Sequence, residues 1–261
     1  MDKNKAAYKL KGIPPIYCIN LDGEPDRWVY MQAQFKYWEI ENYTRISAYD
    51  GREDDLSDIL KGKYPDAMNS GEVGCVTSHL KAMKEFLKTD EPYAFIIEDD
   101  CDFDPAKYWP FSWKDIISKI PYDFDVFQTA IINPGALYVK MHKRFINDFS
   151  TASYIITRHH AEKLVRLHCR GDKYKLDQGS KPRAVADDLI YNSGNTYAMP
   201  LLLYKIEMGS SIHGEHIEVF HRSSHEGLSN FWQNDANQIQ EWDQFFDYDP
   251  YLGRLPPENS K

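Results

Sequence analysis

Apolar residues in this chain follow two rhythms that alternate as far as His168. Ile16-Tyr17-Cys18-Ile19-Asn20-Leu21 is a short β-prone run behind a Pro-Pro pair, and it predicts a strand. Trp28, Met31, Phe35 and Trp38 then recur at three- and four-residue intervals, which predicts a helix with one apolar stripe. A second strand is expected near Thr44–Ala48, ending at the turn signal Asp50-Gly51. Val73, Val76, Leu80, Met83 and Leu87 mark another helix, closed by Asp90-Glu91-Pro92 before the strand Tyr93–Ile97. Asp125–Ile132 and Ser153–Thr157 read as further strands, followed by a helix carrying Ala161, Leu164, Val165 and His168. Alternating β and α segments predict an α/β sheet with helices on its faces. Such sheets bind ligands outside the carboxyl ends of their strands.

The 261 residues suit one large domain or two small ones and can bury a sizeable core. The longest apolar runs, Tyr93–Ile97 and Leu201–Tyr204, are strand-length, whereas a membrane-spanning helix needs roughly 20 apolar residues. No transmembrane segment is therefore expected. The polar start Met1-Asp2-Lys3-Asn4-Lys5 does not read as a signal peptide, so the expected location is cytoplasmic. Cys18, Cys75, Cys101 and Cys169 are widely spaced, and neither a zinc site nor a disulfide framework is indicated.

Lys and Arg number 31 against 40 acids, a formal charge of −9, which disfavours a nucleic-acid partner. The charge is uneven. Between Glu226 and Lys261 seven acids face two bases, so that segment supplies −5 of the total. It also holds Trp242-Asp243-Gln244-Phe245-Phe246-Asp247-Tyr248, an aromatic density that favours packing over disorder. Residues 222–261 thus read as an acidic, aromatic C-terminal extension, packed on the main body or at a homodimer interface.

The most informative stretch is Phe95-Ile96-Ile97-Glu98-Asp99-Asp100-Cys101-Asp102-Phe103-Asp104, where a hydrophobic strand runs into five carboxylates within seven residues. Side chains alternate along an extended chain, so Glu98 and Asp100 are expected on one side and Asp99 on the other. Like charges packed at a strand end call for a cation. A hard divalent ion, Mg²⁺ or Mn²⁺, held through Asp100 with Glu98 or Asp102, is the natural resolution. The ordinary alternative is a solvated acidic loop whose repulsion is screened.

At this point the sequence resembles glycosyltransferase family 25, the group of bacterial lipooligosaccharide and procollagen galactosyltransferases. Ile19-Asn20-Leu21-Asp22 with Asp26-Arg27 is similar to the family's opening block, and Arg45-Ile46-Ser47-Ala48-Tyr49-Asp50-Gly51 to its second. Gly71-Glu72-Val73-Gly74-Cys75-Val76-Thr77-Ser78-His79-Leu80 and the Glu98-Asp99-Asp100 run follow in the family's order. Thr151–Ile156 with Ala161-Glu162-Lys163-Leu164, and then Val185-Ala186-Asp187, complete the series.

The resemblance implies a GT-A-like (Rossmann-like) mixed sheet over residues 1–221, a UDP-galactose or UDP-glucose donor, Mn²⁺, and inversion at the anomeric carbon. It implies that Glu98-Asp99-Asp100 is a DxD-type motif, with Asp100 on the metal and Asp99 facing the nucleotide's ribose. Asn20, Leu21 and Arg27 would line the nucleotide pocket. For Arg27 the ordinary alternative is an ion pair with Asp22 or Asp26.

Ser78 and His79 sit on the helix striped by Val73, Val76 and Leu80. They read either as a wall of the site or as helix-to-loop hydrogen bonding. Glu72, seven residues before His79, is a poor orienter for a catalytic imidazole. Cys75 reads as a small packed residue rather than a nucleophile. Inverting transfer needs a base to take the acceptor's proton, and Asp187 or Asp188 is the expected residue. Their alternative role is at a helix N-terminus. Ser210–His216 and His221 concentrate histidines, and His213 is the expected additional metal ligand.

The function expected is metal-dependent hexosyl transfer from a UDP-sugar to a hydroxyl on a glycan or a collagen-like hydroxylysine. A catalytically inactive nucleotide-sugar or glycan-binding protein of the same fold is the competing reading. A glycoside hydrolase ranks last, because its two acids stand about 5–9 Å apart across the bond rather than adjacent in one run.

Overall fold

A strand whose every residue is buried needs cover on both faces, and Ile16–Asn20 and the stretch 94–97 have it. The computed structural model describes residues 4–52, 55–63, 65, 67–133, 137–176, 184–208 and 221–247. In chain order these residues form β1 (Ile16–Asn20), α1 (Pro25–Tyr37), β2 (Tyr43–Ser47), α2 (Ser70–Phe86), β3 (Tyr93–Glu98) and β4 (Cys101–Asp102). They continue through α3 (Trp113–Lys119), β5 (Val126–Gln128), β6 (His142–Lys143), β7 (Ser153–Thr157), α4 (Arg158–His168), β8 (Cys169–Arg170) and β9 (Lys173–Tyr174). The last elements are α5 (Ala186–Tyr191), β10 (Thr196–Ala198), β11 (Leu203–Tyr204) and α6 (Arg222–Asn230).

Seven strands form one mixed sheet in the order β2-β1-β3-β7-β5-β10-β6. β1 runs parallel to both β2 and β3, while β7 lies antiparallel between β3 and β5. Alternate side chains enter opposite cores. Ile16, Cys18, Phe95 and Ile97 join Phe35 and Trp38 of the α1 side, whereas Tyr17, Ile19, Ala94 and Ile96 join Val73, Val76 and Leu80 of α2. The sheet is thus an α/β layer with helices on both faces, as the alternation of patterns predicts.

From β1 the chain goes to β2 on one side and then to β3 on the other. The carboxyl ends of β1 and β3 therefore flank a topological switch point. Two close backbone approaches shape the wall beside it. A Cβ on Gly51 would meet Ser70 O at 1.8 Å, and one on Gly74 would meet Tyr49 O at 2.6 Å. Only glycine lets the loop after β2 lie on the first turns of α2. Asn69 and Glu72 close a capping box at the start of α2, so the Glu72 carboxylate is occupied there.

The strand expected over Asp125–Ile132 is shorter, Val126–Gln128. Thr129 and Ala130 both donate to Ser153 O, at 3.1 and 3.4 Å, and two amides on one carbonyl end the regular ladder. Of the apolar run Leu201–Tyr204, only Leu203–Tyr204 forms a strand, paired with β4.

Residues 222–247 lie on the α1 face. Leu228, Trp232, Ala236, Phe245 and Phe246 are buried in the same cluster as Phe95 and Ile97. Trp232 stacks on Phe245 with ring centroids 5.6 Å apart, and its indole N–H donates to Pro200 O. No helix among the described residues is long and apolar enough to cross a membrane.

Candidate active site

The site assembles where β1 and β3 end. Asn20, the last residue of β1, donates from Nδ2 to Asp99 Oδ2 at 2.6 Å and accepts from Arg45 Nε at 2.7 Å. Pro25 starts α1 with its fixed φ. That places Arg27 in the first helical turn, where its Nε donates to Asp99 Oδ1 at 2.7 Å. Its Nη2 lies 3.1 Å from Asp100 Oδ2. The alternation expected for an extended chain stops at Glu98, because Asp99 and Asp100 form a turn. One guanidinium consequently reaches both aspartates, and neither Asp22 nor Asp26 is its partner. Asp22 instead accepts from Arg45 and Ser47.

Glu98 faces a second group of residues. Its Oε1 accepts from Thr151 Oγ1 at 2.7 Å and lies 3.3 Å from His79 Nε2. The other imidazole nitrogen, Nδ1, is 3.0 Å from the Tyr154 hydroxyl, so β7 supplies the orienter that Glu72 cannot. Asp187, in the first turn of α5, accepts the Ser150 amide at 2.8 Å and has Arg144 Nη2 3.9 Å away. Ser150 has φ +98°, a left-handed conformation unusual for a side chain larger than hydrogen.

These surroundings separate the acids electrostatically. Burial raises Asp100 to about 7, helped by the charges of Glu98 and Asp99 and opposed by Arg27. Asp100 Oδ1 is buried and has no hydrogen-bond partner among the described residues. Burial also raises Asp187 to about 6, with Arg144 and the Ser150 amide opposing it and Glu98 reinforcing it. Glu98 moves the other way. Burial pushes it up, but the His79 hydrogen bond and charge, with Thr151 and Arg27, bring it below the ordinary glutamate value.

Asn20, Arg27, Asp99 and Asp100 are thus linked directly, Glu98 and Asp187 stand near enough to feel each other's charge, and several expected residues are not brought in. Asp188 points along its own helix to Asn192 Nδ2 at 2.8 Å. Both acids do lie in the first turn of α5, at the helix N-terminus, although neither is its cap, which is Val185. Ser78 donates to Gly74 O and accepts the Tyr49 amide, which is the helix-to-loop alternative rather than a site wall.

Asp99 has both oxygens engaged, by Asn20 and Arg27, and only 6 % of the residue is exposed, so it is not presented to a ribose. Asp102 departs from the metal-ligand expectation. β4 turns it toward Lys205 Nζ at 3.3 Å and the Asp104 amide, so a lysine already compensates its charge. Leu21 contributes its carbonyl, 3.5 Å from Arg45 Nη2. His213 lies outside the described residues.

Arg45, Thr151, Tyr154 and Arg144 belong to the site and were not foreseen as such. Arg45 and Thr151 stood inside the family-like blocks, but only strand pairing shows that they reach Asn20 and Glu98.

The donor set fits a hard divalent ion. Glu98 and Asp100 offer carboxylate oxygens, one of them buried and without a partner among the described residues, and a cation would favour the ionised form of Asp100 that burial disfavours.

No curated protein matches the chain. Among solved structures it is similar to the nucleoside-diphosphate-sugar pyrophosphorylase of Vibrio cholerae RC9, at 12 % identity and a TM-score of 0.35, over 76 % of this chain and 78 % of that one. The sequence profile described as glycosyltransferase family 25, LPS biosynthesis protein, matches residues 13–178, from just before β1 to just beyond β9. That span is more than half of the chain and takes in Asn20, Arg27, His79 and Glu98–Asp100, and the chain belongs to glycosyltransferase family 25.

Proposed function

We propose that this chain moves a hexose, galactose or glucose, from a UDP-sugar to a hydroxyl on a glycan or a protein such as a collagen-like hydroxylysine, with inversion. The observation that carries this reading is the pair of carboxylates, Glu98 and Asp100, at the switch point of the sheet, with Asp187 near enough for the charge of Glu98 to raise it. Family membership supports the transferase class. The sugar, nucleotide and acceptor are carried over from the resemblance.

In this reading Asp187 is the base. Raised to about 6, it is ionised at neutral pH yet basic enough to take a proton from an acceptor hydroxyl. Ser150 N–H and Arg144 fix its direction. Arg27 holds the Asp99-Asp100 turn in place, and Asn20 ties that turn to β1. His79, held by Tyr154, positions Glu98. Glu98 and Asp100 would hold Mn²⁺ or Mg²⁺, which when bound offsets charge developing on a departing diphosphate.

The test is turnover of UDP-galactose and UDP-glucose with Mn²⁺ added or withheld, in the native chain and in Asp100→Ala. Turnover that needs the metal and disappears in the variant is expected. Full activity without metal, or in Asp100→Ala, would falsify the assigned mechanism.

A further inference from the structure

The block Gly71–Leu80 places a cysteine and a histidine one helical turn apart, and the proposed transfer uses only the histidine. Cys75 and His79 stand at i and i+4 on α2, so their side chains share a face. That face meets the end of β3. The thiol of Cys75, a ring nitrogen of His79 and a carboxylate oxygen of Glu98 all lie within 4.8 Å of one another. A tetrahedral ion with bonds of about 2.0–2.3 Å holds its ligand atoms roughly 3.3–3.8 Å apart. The three groups therefore need to close by only about 1 Å.

The imidazole is aimed for this. Tyr154 holds Nδ1, which turns Nε2 toward Glu98 Oε1 at 3.3 Å. Two atoms that each carry a lone pair need a proton between them, and a metal ion is the other way to fill that position. Asp187 adds a further carboxylate whose charge acts on both Cys75 and Glu98.

We infer that Cys75, His79 and Glu98 form a binding site for a borderline-soft divalent ion of the zinc class, adjoining the all-oxygen side of the pocket. A thiolate–imidazole–carboxylate set suits zinc, whereas Asp100 and Glu98 together suit a hard ion. Glu98 belongs to both sets. Zinc here withdraws it from the Asp100 side and inhibits transfer, a consequence that rests on the function proposed above; the binding itself does not. Burial pushes the Cys75 thiol up, so binding must displace its proton to solvent. Among the described residues Cys75 is in no disulfide and is only partly buried, unlike Cys18 and Cys101.

Cobalt(II) titrated into the metal-free protein is the probe, because a cobalt–thiolate bond gives a charge-transfer absorption independent of turnover. One equivalent is expected to produce that band, and Zn²⁺ to erase it. Cys75→Ser is expected to lose it, with zinc affinity falling at least about tenfold. Cys169→Ser and Asp100→Asn should keep the band, and circular dichroism checks that each variant is folded. No band in the native chain, or one that survives in Cys75→Ser, overturns the site. A native chain that shows the band but has no manganese-supported turnover sinks the transferase reading instead and leaves this site standing.

Discussion

The carboxyl ends of β1 and β3 and the aromatic cluster under α6 are both buried, but they are built on opposite terms. Under α6, Trp109, Phe111, Trp232, Phe245 and Phe246 pack ring against ring, and the indole N–H groups of Trp109 and Trp232 both find carbonyls. At the strand ends Asp99 and Asp100 crowd around one guanidinium, Asp100 keeps an oxygen with no partner among the described residues, and Ser150 sits in a left-handed conformation. The first region contributes stability through apolar burial. The second gives some up, because groups poised for chemistry are not at their most comfortable.

The sharpest break in that comparison is Asp187→Asn. The amide keeps the shape but takes no proton, so turnover is expected to fall about 10²–10⁴-fold. Stability at pH 8 should equal or exceed that of the native chain, because a buried charge is gone. Denaturant melts beside steady-state rates check both, and a variant that is both inactive and much less stable would make Asp187 a structural residue.

Trp232→Ala is the converse, with a stability loss of about 3–5 kcal/mol and an unchanged KM for the donor in whatever remains folded. A KM that moves with it would mean the two regions are coupled. Arg27→Lys keeps one positive charge but loses the fork between Asp99 and Asp100, so donor KM should rise about tenfold. An unchanged KM there removes Arg27 from the site.

The pH dependence follows from Asp187. Its ionised form is the active base, so kcat is expected to rise with pH, with a midpoint near 6, and to fall about tenfold per unit below that. The stability term has the opposite sign. Because folding raises this carboxyl, the native state binds the proton more tightly than the unfolded chain, and the Asp187 contribution falls as pH rises from the ordinary aspartate range to about 6. Asp187→Asn should remove that slope. The smallest expected effect is that of Ser78→Ala, about 1 kcal/mol of stability from the lost loop bond with donor KM unchanged. A raised KM would return Ser78 to the site.

Local patterning carried much of this architecture. The stripes of α1 and α2, the strands β1 and β3, and the acidic run at the end of β3 were all legible because periodicity and composition are properties of short segments. Gly51 and Gly74 were visible as parts of family-like blocks. Their reason, a loop lying on a helix too closely for any Cβ, was not. Asp187 and Asp188 are neighbours with identical side chains, and nothing in the sequence separates them. The helix phase of α5 does, turning one to the Ser150 amide and the other to Asn192.

The chain by itself thus determined an α/β sheet, its two apolar faces and the concentration of acids at one strand exit, because hydrophobic period and local charge need no distant partner. Only the tertiary structure decided what those acids do. Arg27 and Asp99 are 72 positions apart, and Thr151 and Glu98 are 53 apart. Whether a carboxylate is neutralised, as Asp102 is by Lys205, or left with an open oxygen, as Asp100 is, depends on which distant cation the fold delivers to it.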